Sequence, residues 1–313
     1  MKTLALVCLA GVIGCAAELR LGIVGTDTSH VTAFTKILND PNAPDHVPGA
    51  RVVAAYRGGS PDIEQSRARI DKFTAELQDK WQVKMLPSIE ELCQQVDAVL
   101  LTSVDGRAHL AQARPIIAAH KPLFIDKPLA STLEDAREIA RLAKQAGVPW
   151  FSSSSQRFTG VARLRVPDLA GALTWGPGPL EEHHALDLAW YAIHPIEMLY
   201  ALMGTGCGEV TRVSTADADV VIGRWKDGRI GTVRALRPYG DYGAVVFRKN
   251  AKGQTSESVA KLEGGYAPLV REIVQFFQSG HPPVSNDETL EIFAFMDAAQ
   301  RSQASGGAPA RLP

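Results

Sequence analysis

Short apolar segments alternate with amphipathic segments along residues 19 to 151. The apolar segments are LRLGIVG, RVVAAY, VKML, DAVLLTS, PLFID and VPWF. Between them, apolar residues recur every three or four positions, as in Val31, Phe34, Ile37 and Leu38, which is the period of a helix that buries one face. Strict alternation of strand and helix predicts an α/β fold with a doubly wound parallel sheet, which binds ligands beyond the carboxyl ends of its strands.

The pattern changes after Phe151. Four segments now alternate apolar and polar residues, with Asp-Gly and Tyr-Gly turns between some of them: EVTRVSTA, DVVIGRW, RIGTVRAL and GAVVFRK. This pattern predicts an open, mainly antiparallel sheet. A final helix is expected in DETLEIFAFMDAAQRS, and we expect the tail ASGGAPARLP to be loosely held. We therefore predict two domains, residues 18–150 and residues 151–313.

The composition narrows the class of partner. The chain has 313 residues and a formal net charge of -1, with no Lys/Arg run of the kind that follows a nucleic-acid backbone. We therefore expect a small-molecule partner and no nucleic acid. Cys93 and Cys207 are the cysteines of the two domains; they could form one disulfide, but each is expected to be a small buried apolar residue.

The first residues resemble a bacterial export signal. In MKTLALVCLAGVIGCAAEL, Lys2 precedes an apolar run that is too short to span a bilayer. The residues before Cys15 also resemble a lipobox, in which Cys15 would carry a lipid anchor. We expect residues 1–17 to be a signal peptide or lipoprotein signal and the protein to be periplasmic or membrane-anchored. The alternative is a cytoplasmic enzyme with a misassigned start.

The turn after the first strand, GTDTSH, has the position of a nucleotide-binding GxGxxG motif. Gly25 occupies the first glycine position, but Asp27 and His30 occupy the second and third. A carboxylate at the second position opposes a pyrophosphate, although Thr28, Ser29 and the helix N-terminus could still hold an anion or a polar ligand. The alternative is that these residues only cap the helix.

The turn after the second strand, YRGGSP, lacks the acidic residue that usually binds the ribose of NAD. Arg57 and Ser60 could instead bind the 2'-phosphate of NADP. Alternatively, Arg57 is a solvated charge in a glycine-rich loop.

Four further motifs occur in a fixed order along the chain: VDAVLLTSVDGRAH, HKPLFIDKPLA, WYAIHPIEMLYALMG and RSQASGGAPARL. Together they resemble the Gfo/Idh/MocA oxidoreductase family. His109 matches a histidine that follows a strand in that family, and Asp126, Lys127 and Pro128 match its Glu-Lys-Pro triplet, with Asp in place of Glu. In the third motif, His194, Glu197 and Gly204 match a helix that carries the catalytic histidine.

The resemblance implies a Rossmann domain in residues 18–150 and a C-terminal α/β domain in residues 151–313 that supports substrate binding and a homo-oligomer. It implies hydride transfer between NAD or NADP and a carbon that bears a hydroxyl of a sugar or cyclitol. Lys127 would hold that hydroxyl, His194 would exchange its proton, and Tyr191 could supply a second hydroxyl. Ser103, His109 and Asp126 would join the turn residues at the cofactor, and the remaining expected substrate contacts are Arg157, His183, His184 and Asp187.

One position before the third motif's histidine departs from the family pattern. The family commonly has an aspartate four residues before the catalytic histidine, where this chain has Trp190, and Pro195 makes it doubtful that one helix joins Asp187 to His194. A metal site built from His183, His184, Asp187 and His194 was weighed, and we predict none because their spacing matches no established motif. Two other functions stay open: an exported, non-catalytic carbohydrate-binding protein, and a redox-assisted glycoside hydrolase or lyase.

Overall fold

The first sheet is parallel throughout and contains six strands, in the order β3-β2-β1-β4-β5-β6. The computed structural model describes residues 18–259, 261–262 and 264–313, so the predicted signal and Cys15 lie outside the described residues. The strands are β1 Leu19–Val24, β2 Ala50–Tyr56, β3 Lys84–Leu86, β4 Ala98–Leu101, β5 Leu123–Asp126 and β6 Trp150–Ser153. The fold class predicted from the apolar pattern is confirmed.

Five helices form the crossovers of this sheet: α1 Ser29–Asn39, α2 Glu64–Asp79, α3 Ile89–Gln95, α4 Gly106–Ala118 and α5 Leu133–Ala146. Polar side chains cap most of their N-termini, as expected from backbone N–H groups that lack a partner in the helix. Ser88 caps α3 and Thr132 caps α5, and they accept hydrogen bonds from the backbone N–H groups of Glu91 and Asp135. Helix α2 begins at Glu64 without a side-chain cap.

The second sheet has seven strands in the order β12-β11-β7-β10-β9-β8-β13. Neighbouring strands are antiparallel except for β7 and β10, which are parallel. The strands are β7 Leu169–Pro177, β8 Cys207–Ser214, β9 Ala218–Trp225, β10 Ile230–Leu236, β11 Gly243–Asn250, β12 Gly253–Val259 and β13 Ala310–Arg311. The open, mainly antiparallel sheet is thus confirmed, whereas β7 and β12 were not predicted.

Three helices complete the chain: α6 Ile193–Met203, α7 Ala267–Ser279 and α8 Asn286–Ala304. Helix α6 is buried along its whole length and packs on β7 and β10, while α8 packs on β8 and reaches β6 and α5 of the first domain. Helix α7 packs on the first domain, where Ile273 and Phe276 join the core formed by β1, β2 and α1. The domain boundary at residue 150 stays a prediction, and α7 crosses back over it.

One expectation about the C-terminus is wrong. The tail is not loosely held, because Ala310 and Arg311 form β13 and pair with Val210 and Glu209 of β8. The backbone carbonyl of Arg311 also accepts a hydrogen bond from the guanidinium of Arg301. In the described part of the chain, none of the helices combines the length and the hydropathy needed to cross a lipid bilayer.

Candidate functional site

A cavity of about 150 Å³ lies where the two domains meet, beyond the carboxyl ends of β1, β4 and β5. Its wall includes three residues of the first turn and α1, two residues of α2, Lys127 after β5, residues just before and at the start of α6, and tyrosines between β10 and β11 and before α7. The lining residues are Thr28, Ser29, His30, Gln65, Arg69, Val104, Lys127, Ser155, Gln156, Trp190, Tyr191, His194, Tyr239, Tyr242 and Tyr266. All three residues predicted to be catalytic, Lys127, Tyr191 and His194, line this cavity. Their catalytic roles stay predictions.

His194 lies in the first turn of α6 and is held on several sides. Pro195 is tolerated there because the backbone N–H groups of a first helical turn have no partner within the helix. Nδ1 of His194 lies 2.7 Å from Oγ of Ser154, and the ring centroids of Tyr191 and Tyr242 each lie 5.7 Å from that of the imidazole. The Ser154 contact leaves Nε2 as the nitrogen that a ligand can reach.

Burial determines the charge of His194. Its pKa lies well below the ordinary value, first because the ring is buried and then because Lys127 and His30 place positive charge near it. The imidazole is therefore neutral near neutral pH and can accept a proton.

Lys127 follows β5 directly and extends over the ring of Tyr191, with Nζ 5.2 Å from the ring centroid. Burial lowers the pKa of this lysine, the carboxylate of Asp126 opposes that effect, and the charge of Arg69 adds to it. Burial also raises the pKa of Tyr191, so its hydroxyl stays protonated. A cation, a neutral imidazole and a phenol are thus placed around one small volume.

The carboxylate of Asp27 does not point at this cavity. It is fully buried, with Oδ2 accepting a hydrogen bond of 2.6 Å from Oγ of Ser66 and Oδ1 accepting one of 3.0 Å from the backbone N–H of Val104. Burial raises its pKa, against the effect of these two hydrogen bonds. The carboxylate of Asp27 is therefore buried inside the protein, where it links α2 to the loop after β4, and it does not face the expected position of a pyrophosphate.

The turn itself retains the close packing of a nucleotide site. Gly25 has φ +89°, and a Cβ added there would lie 2.2 Å from Oγ of Ser103, so no other residue fits without rearrangement. Thr28 caps α1 by accepting a hydrogen bond from the backbone N–H of His30, and Thr28, Ser29 and His30 at this helix N-terminus line the cavity. A second cavity, of about 300 Å³, lies at the end of β2 and is lined by Arg57, Gly58, Gly59, Ser60 and Arg67 among others. The described residues thus fit a dinucleotide.

Four residues that were predicted to contact the cofactor instead contact other groups of the protein. His109 is fully buried, with Nε2 2.9 Å from the carbonyl of Ser103 and Nδ1 3.2 Å from that of Leu129, and it does not line the cavity. Oγ of Ser103 donates to Gln112. The carboxylate of Asp126 is covered by His30, whose Nδ1 it contacts, and burial alone would raise its pKa, but His30 and Lys127 hold it below the ordinary value. Arg57 is exposed and pairs with Asp71 at 2.5 Å.

The four remaining predicted substrate residues lie away from the cavity, which corrects that expectation. Arg157 is buried in ion pairs with Glu197 and Glu288, at 2.7 and 2.6 Å. Asp187 lies on a separate 3₁₀ turn, Asp187–Ala189, and binds Arg212 through two hydrogen bonds.

His183 and His184 also lie outside the lining of the cavity. Nδ1 of His183 contacts Glu181 on the surface, and the buried His184 has Nε2 3.3 Å from Oδ1 of Asp105. Arg157 and Asp187 each pair with an oppositely charged group of the protein. The spacing of residues in the sequence does not reveal which charges must pair in this way.

The histidine and acidic residues considered for a metal do not converge. Throughout residues 18–259, 261–262 and 264–313, no group of three or more His, Cys, Asp or Glu side chains could hold an ion. Cys93 and Cys207 are both buried and free, and burial raises their pKa values to about 11 and about 12. They behave as small apolar residues, as predicted.

Sequence reasoning missed several lining or supporting residues, chiefly Ser154, Arg69, Trp190 and the tyrosines after β10. One signal could have found Ser154. The polar run SSSSQRF begins in the last two residues of β6, the last parallel strand, and continues past its carboxyl end, which is the ligand-binding edge of the sheet. Trp190 was noted only as a departure from a motif, but in the structure its ring forms part of the cavity wall.

Comparison with known proteins agrees with this architecture. Residues 19–153 match the family model of the Gfo/Idh/MocA proteins, described as an oxidoreductase family with an NAD-binding Rossmann fold. This match covers the N-terminal domain, somewhat less than half of the chain, and this domain is similar to the Gfo/Idh/MocA oxidoreductase family, as the motifs had indicated.

Individual relatives cover different parts of the chain. Inositol 2-dehydrogenase of Cereibacter sphaeroides is 36% identical over 124 residues, which are 39% of this chain and 31% of that protein. The match thus spans about a third of the length of this curated relative. Among solved structures, myo-inositol dehydrogenase from Lactobacillus casei, in complex with NAD(H) and myo-inositol, has a TM-score of 0.71 at 18% identity, covering 95% of this chain and 97% of that one.

A probable dehydrogenase from Thermotoga maritima is similar to the same extent. It has a TM-score of 0.71 at 20% identity and covers 94% of this chain and 99% of that one. At these identities the two structures establish the fold of both domains.

Proposed function

We propose that the protein is an NAD(P)-dependent oxidoreductase that acts on a hydroxyl, or the corresponding carbonyl, of a sugar-like or cyclitol-like molecule. One observation carries the proposal: Lys127 and His194, predicted from separate motifs, line one cavity together with the N-terminus of α1. The family match and the inositol dehydrogenases among the relatives support the substrate class.

The dinucleotide would lie along the N-terminus of α1, with its adenosine end at the cavity beside β2. When bound, the nicotinamide supplies the hydride acceptor or donor. Gly25 allows close approach of the backbone, and Thr28 and Ser29 present polar groups to the phosphates. Because Arg57, Ser60 and Arg67 line the β2 cavity and no carboxylate follows Tyr56 directly, either NAD or NADP is compatible with this end of the site.

The chain's own residues would handle the proton and the orientation of the substrate. The ammonium of Lys127 would bind the reacting oxygen and stabilise negative charge on it. His194 would accept the hydroxyl proton at Nε2, since Nδ1 is engaged by Ser154. Oγ of Ser154 accepts a hydrogen bond from the backbone N–H of Gln156, and its second lone pair would accept one from Nδ1–H of His194, which orients the ring and leaves Nε2 unprotonated. Trp190 and the tyrosines would shield this exchange from water.

Titration of the folded protein with NAD(H) and NADP(H), followed by calorimetry, tests the proposal. We expect one pair to bind at micromolar concentration. Absence of binding at millimolar concentration of all four would refute an NAD(P)-dependent reaction. If NADP binds more tightly than NAD, Arg57→Ala should remove that advantage, and an unchanged preference in this variant would exclude Arg57 from 2'-phosphate binding.

We also propose that the protein assembles as a homo-oligomer through the open face of the second sheet. Val213, Ile222, Ile230 and Phe247 lie on that face with exposed fractions of 57%, 39%, 53% and 37%. Large exposed apolar side chains on one surface favour association with another protein surface. Light scattering should give at least twice the monomer mass, and Ile222→Asp should reduce it; a monomeric wild type would contradict the proposal.

Export with a lipid anchor at Cys15 is proposed from the sequence of residues 1–17 alone. Expression in a bacterial host should place the protein in the membrane fraction, and Cys15→Ser should release it. A wild-type protein found entirely in the cytoplasmic fraction would contradict export.

A further inference from the structure

The cavity where the two domains meet has cationic side chains and no carboxylate in its wall. Four of its residues have basic side chains, namely His30, Arg69, Lys127 and His194. No aspartate or glutamate among the described residues contributes to this wall. Its other side chains are hydroxyl, amide and aromatic groups and one valine. A neutral sugar would therefore leave the charges of Arg69 and Lys127 in one small volume without a counter-ion.

Two acidic residues that neighbour lining residues in the chain, Asp126 beside Lys127 and Glu197 one turn after His194, are committed to other partners. Oδ2 of Asp126 contacts His30, and its Oδ1 accepts a hydrogen bond from the backbone N–H of Lys127. Glu197 pairs with Arg157, which also contacts Glu288. Since a carboxylate that already satisfies a buried cation cannot turn away cheaply, none of these groups is free to neutralise the cavity.

Arg69 differs from its neighbours on and beside α2. Arg57 pairs with Asp71, and Arg67 donates to the carbonyl of Pro61. Within the described ranges, the guanidinium of Arg69 makes neither a hydrogen bond nor an ion pair, although its side chain is half-buried and lines the cavity. Its charge is near enough to add to the lowered pKa of Lys127, after burial, and to act on the hydroxyl of Tyr191. A half-buried guanidinium of this kind lacks an anion.

We propose that the substrate carries a carboxylate that Arg69 binds while Lys127 and His194 act on a hydroxyl of the same molecule. A guanidinium presents two parallel N–H donors that match the two oxygens of a carboxylate. The aromatic rings of Trp190, Tyr191 and Tyr242 provide flat surfaces for the apolar faces of a sugar. The substrate class is then a sugar acid, a uronate or an aldonate, rather than a neutral sugar or cyclitol.

This inference rests on the proposed function, because it names the substrate of the same site. An anion at Arg69 has one other source, the pyrophosphate of the dinucleotide, since Thr28 and Ser29 of the α1 N-terminus line the same cavity. Both anions would satisfy the guanidinium. Only the carboxylate would give the protein a preference between an acid and its neutral counterpart.

Calorimetry on the full chain, with and without saturating NAD, tests the preference. Three matched pairs serve as probes: D-glucuronate and D-glucose, D-galacturonate and D-galactose, and D-gluconate and D-glucitol. We expect at least one acid to bind about tenfold more tightly than its neutral counterpart, as one charge-assisted contact of about 1.4 kcal/mol provides. Arg69→Gln should abolish that ratio while leaving NAD affinity within about threefold. The control is Lys72→Gln, which removes the same charge from an exposed position on α2 and should leave the ratio unchanged.

Several results would overturn the inference. It is wrong if no acid binds more tightly than its counterpart, or if the preference persists in Arg69→Gln. A loss of NAD affinity in Arg69→Gln with the preference intact would assign Arg69 to the pyrophosphate instead. Failure of the wild type to bind NAD or NADP counts against the proposed function alone, because the acid preference is also measured without cofactor.

Discussion

The two sides of the cavity differ in how their polar groups are held. On the side of the first domain, the carboxylates of Asp27 and Asp126 are buried against neighbouring loops, and what faces the cavity is a helix N-terminus and basic side chains. On the side of the second domain, a neutral histidine is held by one serine hydroxyl among aromatic rings. One side is therefore suited to anions and the other to proton exchange.

An acidic residue in a ligand-binding motif need not act on the ligand. Asp27 occupies a position where a charge seems to exclude a pyrophosphate, yet its carboxylate joins α2 to the loop after β4. In the second domain, Asp187 occupies a position that suggests substrate binding, yet it serves Arg212. In both cases a buried partner within the protein determines the orientation of the acid.

The largest expected effect is a loss of kcat/KM on replacing Lys127, which lies where the two sides of the cavity meet. Lys127→Ala should lower kcat/KM at least about a hundredfold, because it removes the cation that stabilises charge on the reacting oxygen. Steady-state kinetics with the probe that binds most tightly in the calorimetry, together with circular dichroism, measures this loss in folded protein. Turnover equal to that of the wild type would exclude Lys127 from the reaction.

Asp27→Asn tests the first side of the comparison. We expect the free energy of unfolding to fall by about 1–3 kcal/mol, because the amide cannot accept hydrogen bonds from both Ser66 and Val104 as the carboxylate does. NAD affinity should change less than about threefold, since the lost charge does not face the cofactor. Urea unfolding and calorimetry measure the two quantities.

Asp45→Asn, at an exposed position, is the control and should leave the free energy of unfolding within about 0.5 kcal/mol of the wild type. A tenfold gain in NAD affinity in Asp27→Asn would show that the charge does reach the pyrophosphate.

Ser154→Ala tests the second side. We expect kcat to fall about tenfold with a smaller change in KM, because the hydroxyl orients His194 and does not bind substrate. The pH dependence of kcat should change as well, since the hydrogen bond to Nδ1 helps to determine which ring nitrogen carries the proton.

Ser152→Ala is the matched control for Ser154→Ala. Ser152 is also buried on β6, and within the described ranges its hydroxyl makes no hydrogen bond, so kinetics should remain those of the wild type. Equal losses in the two variants would indicate a packing effect only.

The smallest effect concerns stability at acid pH. His109 and His194 are buried, and burial lowers both pKa values below 6.5 in the folded state. Between the folded-state value and 6.5 the unfolded chain binds more protons, so this contribution to stability is fully present above about pH 6.5 and is lost as the pH falls. Each histidine should cost about 1.4 kcal/mol per pH unit in that window.

Urea unfolding between pH 5 and pH 8 measures this slope. His194→Gln should remove the part of this slope that comes from His194 and leave the part that comes from His109. A free energy of unfolding that stays constant between about pH 6.5 and 5.5 would contradict the interpretation.

Much of the architecture was predictable from local patterns. The alternation of strand and helix periods determined the parallel sheet, because each period reflects which face of a single element is buried. Motif positions placed Lys127 after β5 and His194 at the start of α6, and parallel strands bring their carboxyl ends to one edge. Helix α7 was missed, and the packing of its apolar face on the first domain joins residues far apart in the chain.

The fold class and the two residues on which the proposed chemistry depends can therefore be read from local sequence patterns. Which polar groups face the cavity depends on contacts between residues that are distant in the chain. Asp27 turns inward toward Ser66, 39 residues away, and His194 is held by Ser154, 40 residues away. Such pairings follow from the cost of leaving a buried charge or hydrogen-bonding group without a partner, and that cost is set by the neighbours that folding brings together.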